Sequence, residues 1–451
     1  MKNYIKSLTT KKSPGCDGFQ SHYIKMVGDQ LSPTLCNIFN ICLTQGCFPS
    51  DMKLSEISPV FKKKDTLMKE NYRSVNLLSV FSKIFERILS DQIMNYFESI
   101  LSCHLSAYRT GYSCQHVLIK LTEFWREALD ENKYVGTLST DLSKAFDRMP
   151  HGLLIAKLHA YGFSHAACSL VMSYLRDRLQ RVKVSGVTSD WTNINRGVPQ
   201  GSVLGPLLFN VFINDLFYVE FSGNIANYAD DNNFYDANQC LMTLQSNVSK
   251  DAEGATLWYE QNYLDANPDK FQCLFMDRKG LISVSIPVHN SNIESSNSIN
   301  ILGIHLDSNL NYKCHVKSIC TRASYQINAL KRVGKYLNVD GKLKIYKAFI
   351  RSNFSYCPVA WLFCGKTNST KLEKLQERAL RFVYNDYVLS HKELLTKADV
   401  LPLSIYRLRF LAIEVFKSIR NMNPKFMNDM FENRTSNYDL RDSDLVQQKK
   451  V

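Results

Sequence analysis

Two adjacent carboxylates, Asp230 and Asp231, are the residues of this chain best suited to metal-assisted chemistry. They lie in the segment Ile-Ala-Asn-Tyr-Ala-Asp-Asp-Asn-Asn-Phe-Tyr at positions 225–235, which predicts a tight hairpin with both acids at its turn. Two like charges beside an apolar run are unfavourable unless a positive charge neutralises them. Divalent cations supply that charge where phosphoryl transfer is the chemistry. An Asp-Asp pair is also common in solvated turns, so this segment alone leaves both interpretations open.

A third carboxylate, Asp141, follows a short strand upstream. Period-two alternation places Asp141 on one face of that strand with Val135, Thr137 and Ser139. From Leu142 the pattern favours a helix, so we expect Asp141 where a strand gives way to a helix. Such a position combines a rigid support with access to a cleft, as a catalytic acid requires.

A glycine-rich loop lies between the two acidic segments. Positions 196–210 read Arg-Gly-Val-Pro-Gln-Gly-Ser-Val-Leu-Gly-Pro-Leu-Leu-Phe-Asn. Gly197, Gly201 and Gly205 suit a loop in which the backbone approaches a ligand closely, followed by a buried helix. The apolar stretch at 203–221 is interrupted by amide and carboxylate side chains, which favours a buried helix over a membrane span.

Together these segments make the chain similar to the reverse transcriptases of non-LTR (LINE-type) retrotransposons, close to the jockey-like branch. The resemblance extends over roughly residues 10–385 and follows the family's motif order. The matching stretches are 12–18, 59–65, 72–86, 107–113, 136–147, 199–201, 228–231, 267–270 and 302–307, with further similarity at 355–361 and 375–381.

The resemblance implies an α+β fold of the right-hand polymerase class. Its parts are fingers, a palm whose antiparallel sheet is backed by helices, a helical thumb and a helical C-terminal extension. We assign the fingers with an N-terminal extension to residues 1–133, the palm with the catalytic carboxylates to 134–311, and the basic thumb with the extension to 312–451. Apolar residues at helical spacing predict helices over about 84–97, 117–129 and 241–259, and beyond Tyr312.

The function implied is RNA-directed DNA polymerisation, in which element RNA is copied into DNA by two-metal nucleotidyl transfer. Asp141, Asp230 and Asp231 are the expected metal ligands, and two Mg²⁺ ions, with Mn²⁺ as a substitute, are the expected cofactors. By resemblance, Lys270 protonates the pyrophosphate leaving group; the alternative is an ordinary turn residue in Asn-Pro-Asp-Lys. Asp147 points elsewhere on a helix and is interpreted as structural.

Cations of the fingers are expected to hold the triphosphate. The resemblance assigns this role to Lys63 and Arg73, and an Arg is suited to bidentate phosphate contact. The run Lys62–Lys64 is alternatively a solvated group of charges. Ser74 stands where many relatives carry Pro, which puts the rigidity of this loop in doubt.

Further substrate contacts are carried over from the family. Phe146 is expected beneath the sugar, where its ring would clash with a ribose 2′-hydroxyl, unless it is a core residue. Gln200 and Gly201 are expected beside the nascent base pair or sugar. Leu302 and Gly303 match the segment that positions the primer end.

The positive charge is unevenly distributed. The chain has 55 Lys and Arg against 42 Asp and Glu, a net charge of +13, and residues 311–420 alone contain 21 against 7. This asymmetry indicates that the C-terminal third contacts a polyanion, although a merely soluble basic face is the alternative. The expected partners are an RNA template, a DNA primer, their hybrid and deoxynucleoside triphosphates, with no membrane.

Thirteen cysteines without zinc-finger spacing favour reduced thiols and a location in the nucleus and cytoplasm, with no secretion. Relatives carry a linked endonuclease, and no such domain precedes the first fingers motif here. We therefore expect a fragment or a truncated copy of the element. Two alternatives are a catalytically silent remnant that only binds nucleic acid, and an RNA-dependent RNA polymerase, against which Phe146 and the finger motifs argue.

Overall fold

A computed structural model describes residues 1–11, 13–62, 65–288, 291–433 and 446–448. Its α-helices in chain order are α1 Lys2–Lys6, α2 Ser21–Met26, α3 Gly28–Gln45, α4 Val80–Phe97, α5 Cys114–Asp130, α6 Ala145–Arg148, α7 His151–Ala160, α8 His165–Leu175, α9 Leu204–Ile213, α10 Leu241–Gln261, α11 Lys313–Val333, α12 Val339–Ile345, α13 Lys366–Tyr384, α14 His391–Ala398, α15 Leu403–Ile419 and α16 Lys425–Asn428. Its strands are β1 Leu54–Phe61, β2 Tyr72–Leu78, β3 Tyr134–Thr140, β4 Arg178–Val184, β5 Val187–Thr188, β6 Thr192–Ile194, β7 Asn224–Tyr228, β8 Asp231–Asn238, β9 Gln272–Asp277, β10 Gly280–Leu281, β11 Ser285–Val288, β12 Ser291–Glu294, β13 Ser298–Ile301, β14 Ile304–Asp307, β15 Phe431–Asn433 and β16 Val446–Gln448.

The chain forms two compact units that alternate along the sequence. The first contains Met1–Tyr108, Leu142–Glu220 and Gly254–Asn267, and the second contains Arg109–Asp141, Phe221–Glu253 and Pro268–Val451. The helix α10 begins in the second unit and ends in the first. The assignment of fingers, palm and thumb to three consecutive segments stays a prediction.

The sheet of the first unit has the order β2-β1-β4-β5, and β6 also pairs with β4. β1 pairs antiparallel with β2 and parallel with β4. Glu56 on β1 is buried and accepts hydrogen bonds from Arg181 and Lys183 on β4. These two cations neutralise the buried carboxylate of Glu56, as a buried charge requires.

The helix α9 is buried along its whole length in the first unit. Its Asn210 donates a hydrogen bond to the backbone oxygen of Ala107 at 2.8 Å, and Asn214 accepts one from the backbone amide of Ser102 at 2.8 Å. These amides therefore tie the helix to a neighbouring loop, and the buried helix predicted over the apolar stretch is confirmed.

Among the described residues, no helix combines the length and the apolar character needed to cross a bilayer.

The second unit contains a five-stranded sheet with the order β10-β9-β3-β8-β7, in which every neighbouring pair is antiparallel. β3 is central, and Val135, Thr137 and Ser139 lie on one face of it opposite odd-numbered residues of β8. Val135 and Tyr235 on this face are 1% and 2% exposed and belong to the main core of the unit. The predicted alternation of β3 is thus confirmed.

Helices cover this face of the sheet. Val117 and Leu121 on α5 are buried in the same core, together with apolar residues of α11 and α13. The helices predicted at 84–97, 117–129 and 241–259 are present as α4, α5 and α10, and the region beyond Tyr312 is helical as expected. An antiparallel sheet backed by helices, followed by a helical region, confirms the predicted α+β fold of the right-hand polymerase class.

His315 on α11 is a buried group with an unusual environment in the second unit. Its side chain is 5% exposed, it packs against the ring of Trp361, and neither ring nitrogen has a hydrogen-bond partner among the described residues. Burial, assisted by His305 and Arg322, lowers the pKa of His315 to about 4. The folded protein therefore keeps this imidazole neutral at pH values where the unfolded chain binds a proton.

This pKa makes the stability dependent on pH in a defined direction. The contribution of neutral His315 to the free energy of unfolding is fully present above the unfolded pKa of about 6.5. It is lost as the pH falls towards 4. Between about pH 7.5 and about pH 5 we expect the free energy of unfolding to fall by up to about 2 kcal/mol. Melting curves at both pH values should show a smaller difference in Tm for His315→Leu than for the wild type. The exposed-site control His165→Leu should keep the wild-type difference, and an equal difference in all three proteins would contradict the assignment.

Candidate active site

The two adjacent carboxylates lie at a tight hairpin, as predicted. β7 and β8 pair antiparallel up to Tyr228 and Asp231, so the turn consists of Ala229 and Asp230. Ala229 has a φ of +57°, a left-handed conformation that is unfavourable for residues with a Cβ. Asp230 therefore occupies the turn itself and Asp231 begins β8, and both acids are half-buried.

Buried asparagines support this turn from below. The Nδ2 of Asn227 donates to the backbone oxygen of Ala229 at 2.8 Å and to Oδ1 of Asn232 at 2.9 Å. Asn233 donates to the backbone oxygen of Ala226 at 3.3 Å. All three asparagines are fully buried. These bonds tie the turn and the strand before it to buried side chains of the hairpin.

The register of the sheet places the third acid beside this hairpin. β3 and β8 are paired from Tyr134 opposite Asn238 to Thr140 opposite Asn232. Asp141 directly follows the last paired residue of β3, and Asp231 directly precedes Asn232 on β8. The backbone thus carries the strand-end acid and the hairpin acids to the same end of the paired strands in the second unit.

The side chain of Asp141 is directed at a lysine. Nζ of Lys270 donates to Oδ2 of Asp141 at 2.7 Å, and both side chains are partly exposed. Within the described part of the chain, no three His, Cys, Asp or Glu side chains are close enough together to hold a metal ion. The three acids therefore lie at the same end of β3 and β8, but their side chains do not form a metal-binding cluster in this arrangement. The ammonium of Lys270 supplies the cation for Asp141.

The chain beyond Asp141 differs from the expected helix. Helix α6 spans only Ala145–Arg148, because Lys144 adopts a φ of +51° before it and Pro150 follows closely after it. A residue before proline is disfavoured in the helical region, which ends the helix at Met149. The helical pattern predicted from Leu142 is therefore wrong for its first three residues.

The glycine-rich loop is held tightly within the first unit. Gly201 has a φ of +111°, and a Cβ there would lie 3.1 Å from the backbone oxygen of Asn76. The backbone amide of Asn76 donates to the oxygen of Gln200 at 2.8 Å, and Nε2 of Gln200 donates to Oδ1 of Asp147 at 2.8 Å. Asp147 thus orients the Gln200 side chain, in line with the structural interpretation of this acid. The roles of Gln200 and Gly201 in substrate binding stay predictions.

Phe146 lies on α6 in the same unit. Its ring stacks on Phe209 of α9 with the ring centroids 4.3 Å apart, and Tyr108 approaches it edge-on. The side chain is half-buried, so one part of the ring packs in the core while another part is accessible. This environment is compatible with both interpretations of Phe146, as a sugar contact and as a core residue.

The predicted triphosphate contacts lie in the fingers segment, and the predicted primer contacts lie between β13 and β14. Arg73 lies exposed on β2 opposite Val60, with its guanidinium available to a ligand. Lys63 lies outside the described residues. Leu302 and Gly303 form the two-residue turn between β13 and β14, both with positive φ, and the hydroxyl of Tyr356 donates to the oxygen of Leu302 at 2.7 Å.

A basic groove runs between α11 and α13 in the second unit. It has a volume of about 410 Å³ and includes Lys313, Lys317 and Lys371 together with the exposed ring of Tyr325. None of its lining residues is acidic, and none of these three lysines forms an ion pair within the described part of the chain. The excess of positive charge predicted for the C-terminal third therefore includes three lysines that line one groove without an ion pair.

Two groups were not predicted from the sequence, the buried asparagines beside the hairpin in the second unit and a histidine in the first unit. The buried asparagines Asn227, Asn232 and Asn233 appear in the sequence only as polar residues within a strand pattern, and their number beside the acids was the available signal. His151, whose Nε2 donates to the oxygen of Gly197 at 2.7 Å, gave no sequence signal because its partner is a backbone atom distant along the chain.

Comparison with known proteins identifies the class. Residues 61–306, more than half of the chain, match the family described as reverse transcriptase (RNA-dependent DNA polymerase). The chain therefore belongs to the reverse transcriptase family, whose members are nucleotidyltransferase enzymes, and the predicted kinship with non-LTR retrotransposon polymerases is confirmed by the relatives it matches.

The chain is 28% identical to the probable RNA-directed DNA polymerase from transposon BS of Drosophila melanogaster, covering 84% of this chain and 43% of that protein. It is 27% identical to the RNA-directed DNA polymerase from mobile element jockey of Drosophila funebris, with the same coverage of 84% and 43%. The chain thus spans less than half the length of these relatives. Apo telomerase from Candida tropicalis is similar with a TM-score of 0.45 and 12% identity, covering 88% of this chain and 68% of that chain.

The left-handed turn residue leads to a prediction about the hairpin. Ala229→Val should lower the Tm, because a φ of +57° is less favourable for a β-branched side chain than for alanine. Ala229→Gly should be at least as stable as the wild type, since glycine adopts this conformation without strain. The control Ala237→Val makes the same change at an ordinary position of β8 and should not destabilise. Equal melting temperatures for the Val and Gly variants at position 229 would contradict this account.

Proposed function

We propose that this chain is an RNA-directed DNA polymerase that extends a DNA primer on an RNA template. The observation that carries the proposal is the pairing of β3 with β8, which ends at Thr140 and Asn232, so that Asp141 and Asp231 adjoin the last pair and Asp230 lies at the neighbouring turn. Family membership supports the same activity. The proposed substrates are deoxynucleoside triphosphates, and the proposed partners are template RNA, primer DNA and their hybrid.

The donor set fits a divalent cation in two respects. All three groups are carboxylates, the hard oxygen ligands that Mg²⁺ prefers, and they lie at one end of the paired strands β3 and β8. Asp141 also already attracts a cation, the Lys270 ammonium at 2.7 Å. We propose that Asp141, Asp230 and Asp231 hold two Mg²⁺ ions, which when bound neutralise the triphosphate and lower the pKa of the primer hydroxyl.

The residues of the chain then have separate tasks in nucleotide addition. The primer 3′-oxygen forms a bond to the α-phosphorus, the bond to the β-phosphate oxygen breaks, and pyrophosphate leaves. Release of Lys270 from Asp141 would free its ammonium to donate a proton to the leaving pyrophosphate. Arg73 is proposed to contact the triphosphate, Gln200 the nascent pair and Phe146 the sugar.

The location proposed for the protein is intracellular, since its thirteen cysteines are all free thiols.

Removal of a single acid charge tests the carboxylate assignment. Asp141→Asn and Asp230→Asn should abolish primer extension on poly(rA)/oligo(dT) with Mg²⁺, because the charge at the metal ligands is lost while the side-chain shape is kept. Hybrid affinity, measured by fluorescence anisotropy, should stay close to that of the wild type. The exposed-site variant Asp190→Asn should retain full extension. A variant at 141 or 230 that keeps more than a few per cent of wild-type activity would remove that residue from the site.

The basic groove predicts a salt dependence. Replacing Lys313, Lys317 and Lys371 with Gln should flatten the slope of log affinity against log salt by roughly 2 to 3, at about 0.9 per lost phosphate contact. The matched control replaces Lys344, Lys397 and Lys417, which already face carboxylates, and so removes the same total charge. Identical slopes for the two triple variants would show that overall charge, and not the groove, governs binding.

A further inference from the structure

Glu86 is a carboxylate buried in the first unit without a cation. It lies on α4 with 0% exposure, and one of its oxygens accepts a hydrogen bond from Oγ of Ser82 at 2.8 Å. No Lys or Arg forms an ion pair with it among the residues that the structure describes. A buried charge is costly unless something neutralises it, so another partner must be present.

That partner is the start of α9. The second carboxylate oxygen, Oε2, accepts hydrogen bonds from the backbone amides of Val203 at 2.7 Å and Leu204 at 3.2 Å. The first amides of a helix have no partner within the helix, and the helix dipole places positive charge there. Glu86 thus supplies from a different helix the anion that this helix start lacks, while Ser202 caps the next amide, that of Gly205, at 3.0 Å.

The same helix start ends the glycine-rich loop. The loop is attached at Gln200, whose backbone oxygen is bound by Asn76 and whose side chain is bound to Asp147. Only two residues separate Gln200 from Val203, so a shift of the helix start displaces the loop. A helix anchored further along by Asn210 and Asn214 would persist without Glu86, but its first turn would lose its fixed position.

We propose that Glu86 is a positioning residue for nucleotide addition, which sets the place of the Gln200–Gly201 loop by binding the first amides of α9. The inference rests on the proposed function, because it assumes that this loop contacts the incoming nucleotide. Glu86 does not touch the substrate itself. Its effect is therefore on the affinity for the nucleotide and not on the affinity for the hybrid.

The test compares Glu86→Gln and Glu86→Asp with a matched control, Ser164→Ala. Ser164 caps the neighbouring helix α8 in the same unit by accepting from the backbone amide of Ala167, so its loss also weakens a helix start. Glu86→Gln keeps the size but removes the charge that strengthens both bonds to the helix. We expect its KM for deoxynucleotide to rise about tenfold with a smaller change in kcat and an unchanged Kd for hybrid. Glu86→Asp, which keeps the charge, should restore part of the loss, and Ser164→Ala should lower the Tm without changing KM.

Hydrogen exchange provides a second measurement that does not depend on activity. Backbone amides at 203 and 204 should exchange faster in Glu86→Gln than in the wild type, and at the wild-type rate in Ser164→Ala. Unchanged exchange at these amides, or a KM that rises equally in Glu86→Gln and Ser164→Ala, would overturn the positioning role. A wild-type protein that fails to extend a primer would instead overturn the proposed function, and the exchange result would still decide whether Glu86 fixes the helix start.

Discussion

The pairing of β3 with β8 is the constraint on which the candidate site depends. Seven consecutive residue pairs fix the register, and the alternation that turns Val135 and Tyr235 into the core also carries Asp141 and Asp231 to the end of the same face. A slip by one residue would turn the apolar side chains outward along with the acids. The burial of the core and the placement of the carboxylates are therefore enforced by the same interaction. Neither can change without the other.

The acids at this end of the sheet need partners that balance their charge. The ammonium of Lys270 balances it at Asp141, and buried asparagines hold the turn that carries Asp230. Elsewhere the chain neutralises a buried carboxylate with backbone amides, since Glu86 on α4 accepts hydrogen bonds from the start of α9. These partners differ in mobility. A lysine that is 54% exposed can be exchanged for another cation, whereas helix amides are fixed. The difference matches the separate tasks proposed for the two acids, ligand exchange at Asp141 and permanent positioning at Glu86.

The positive charge of the second unit follows a similar division. Lys344 and Lys397 face carboxylates nearby, while the lysines of the groove between α11 and α13 face none within the described residues. Charges that are already paired contribute little to binding a polyanion, because a phosphate must compete with the existing partner. The net charge of a segment is thus a weaker guide to nucleic-acid binding than the arrangement of its unpaired cations.

The sequence by itself determined the family, the fold class and the local elements. The hairpin at Asp230 and Asp231, the alternation of β3 and the buried helix α9 all follow from side-chain periodicity over a few residues, which acts locally. The sequence did not reveal that Lys270 pairs with Asp141 or that Glu86 holds the start of α9. In both cases the partners are more than a hundred residues apart in the chain, and for Glu86 they are backbone atoms that every residue type possesses. Such contacts leave no pattern in the sequence, and only the tertiary structure, which sets the distances between distant segments, decided them.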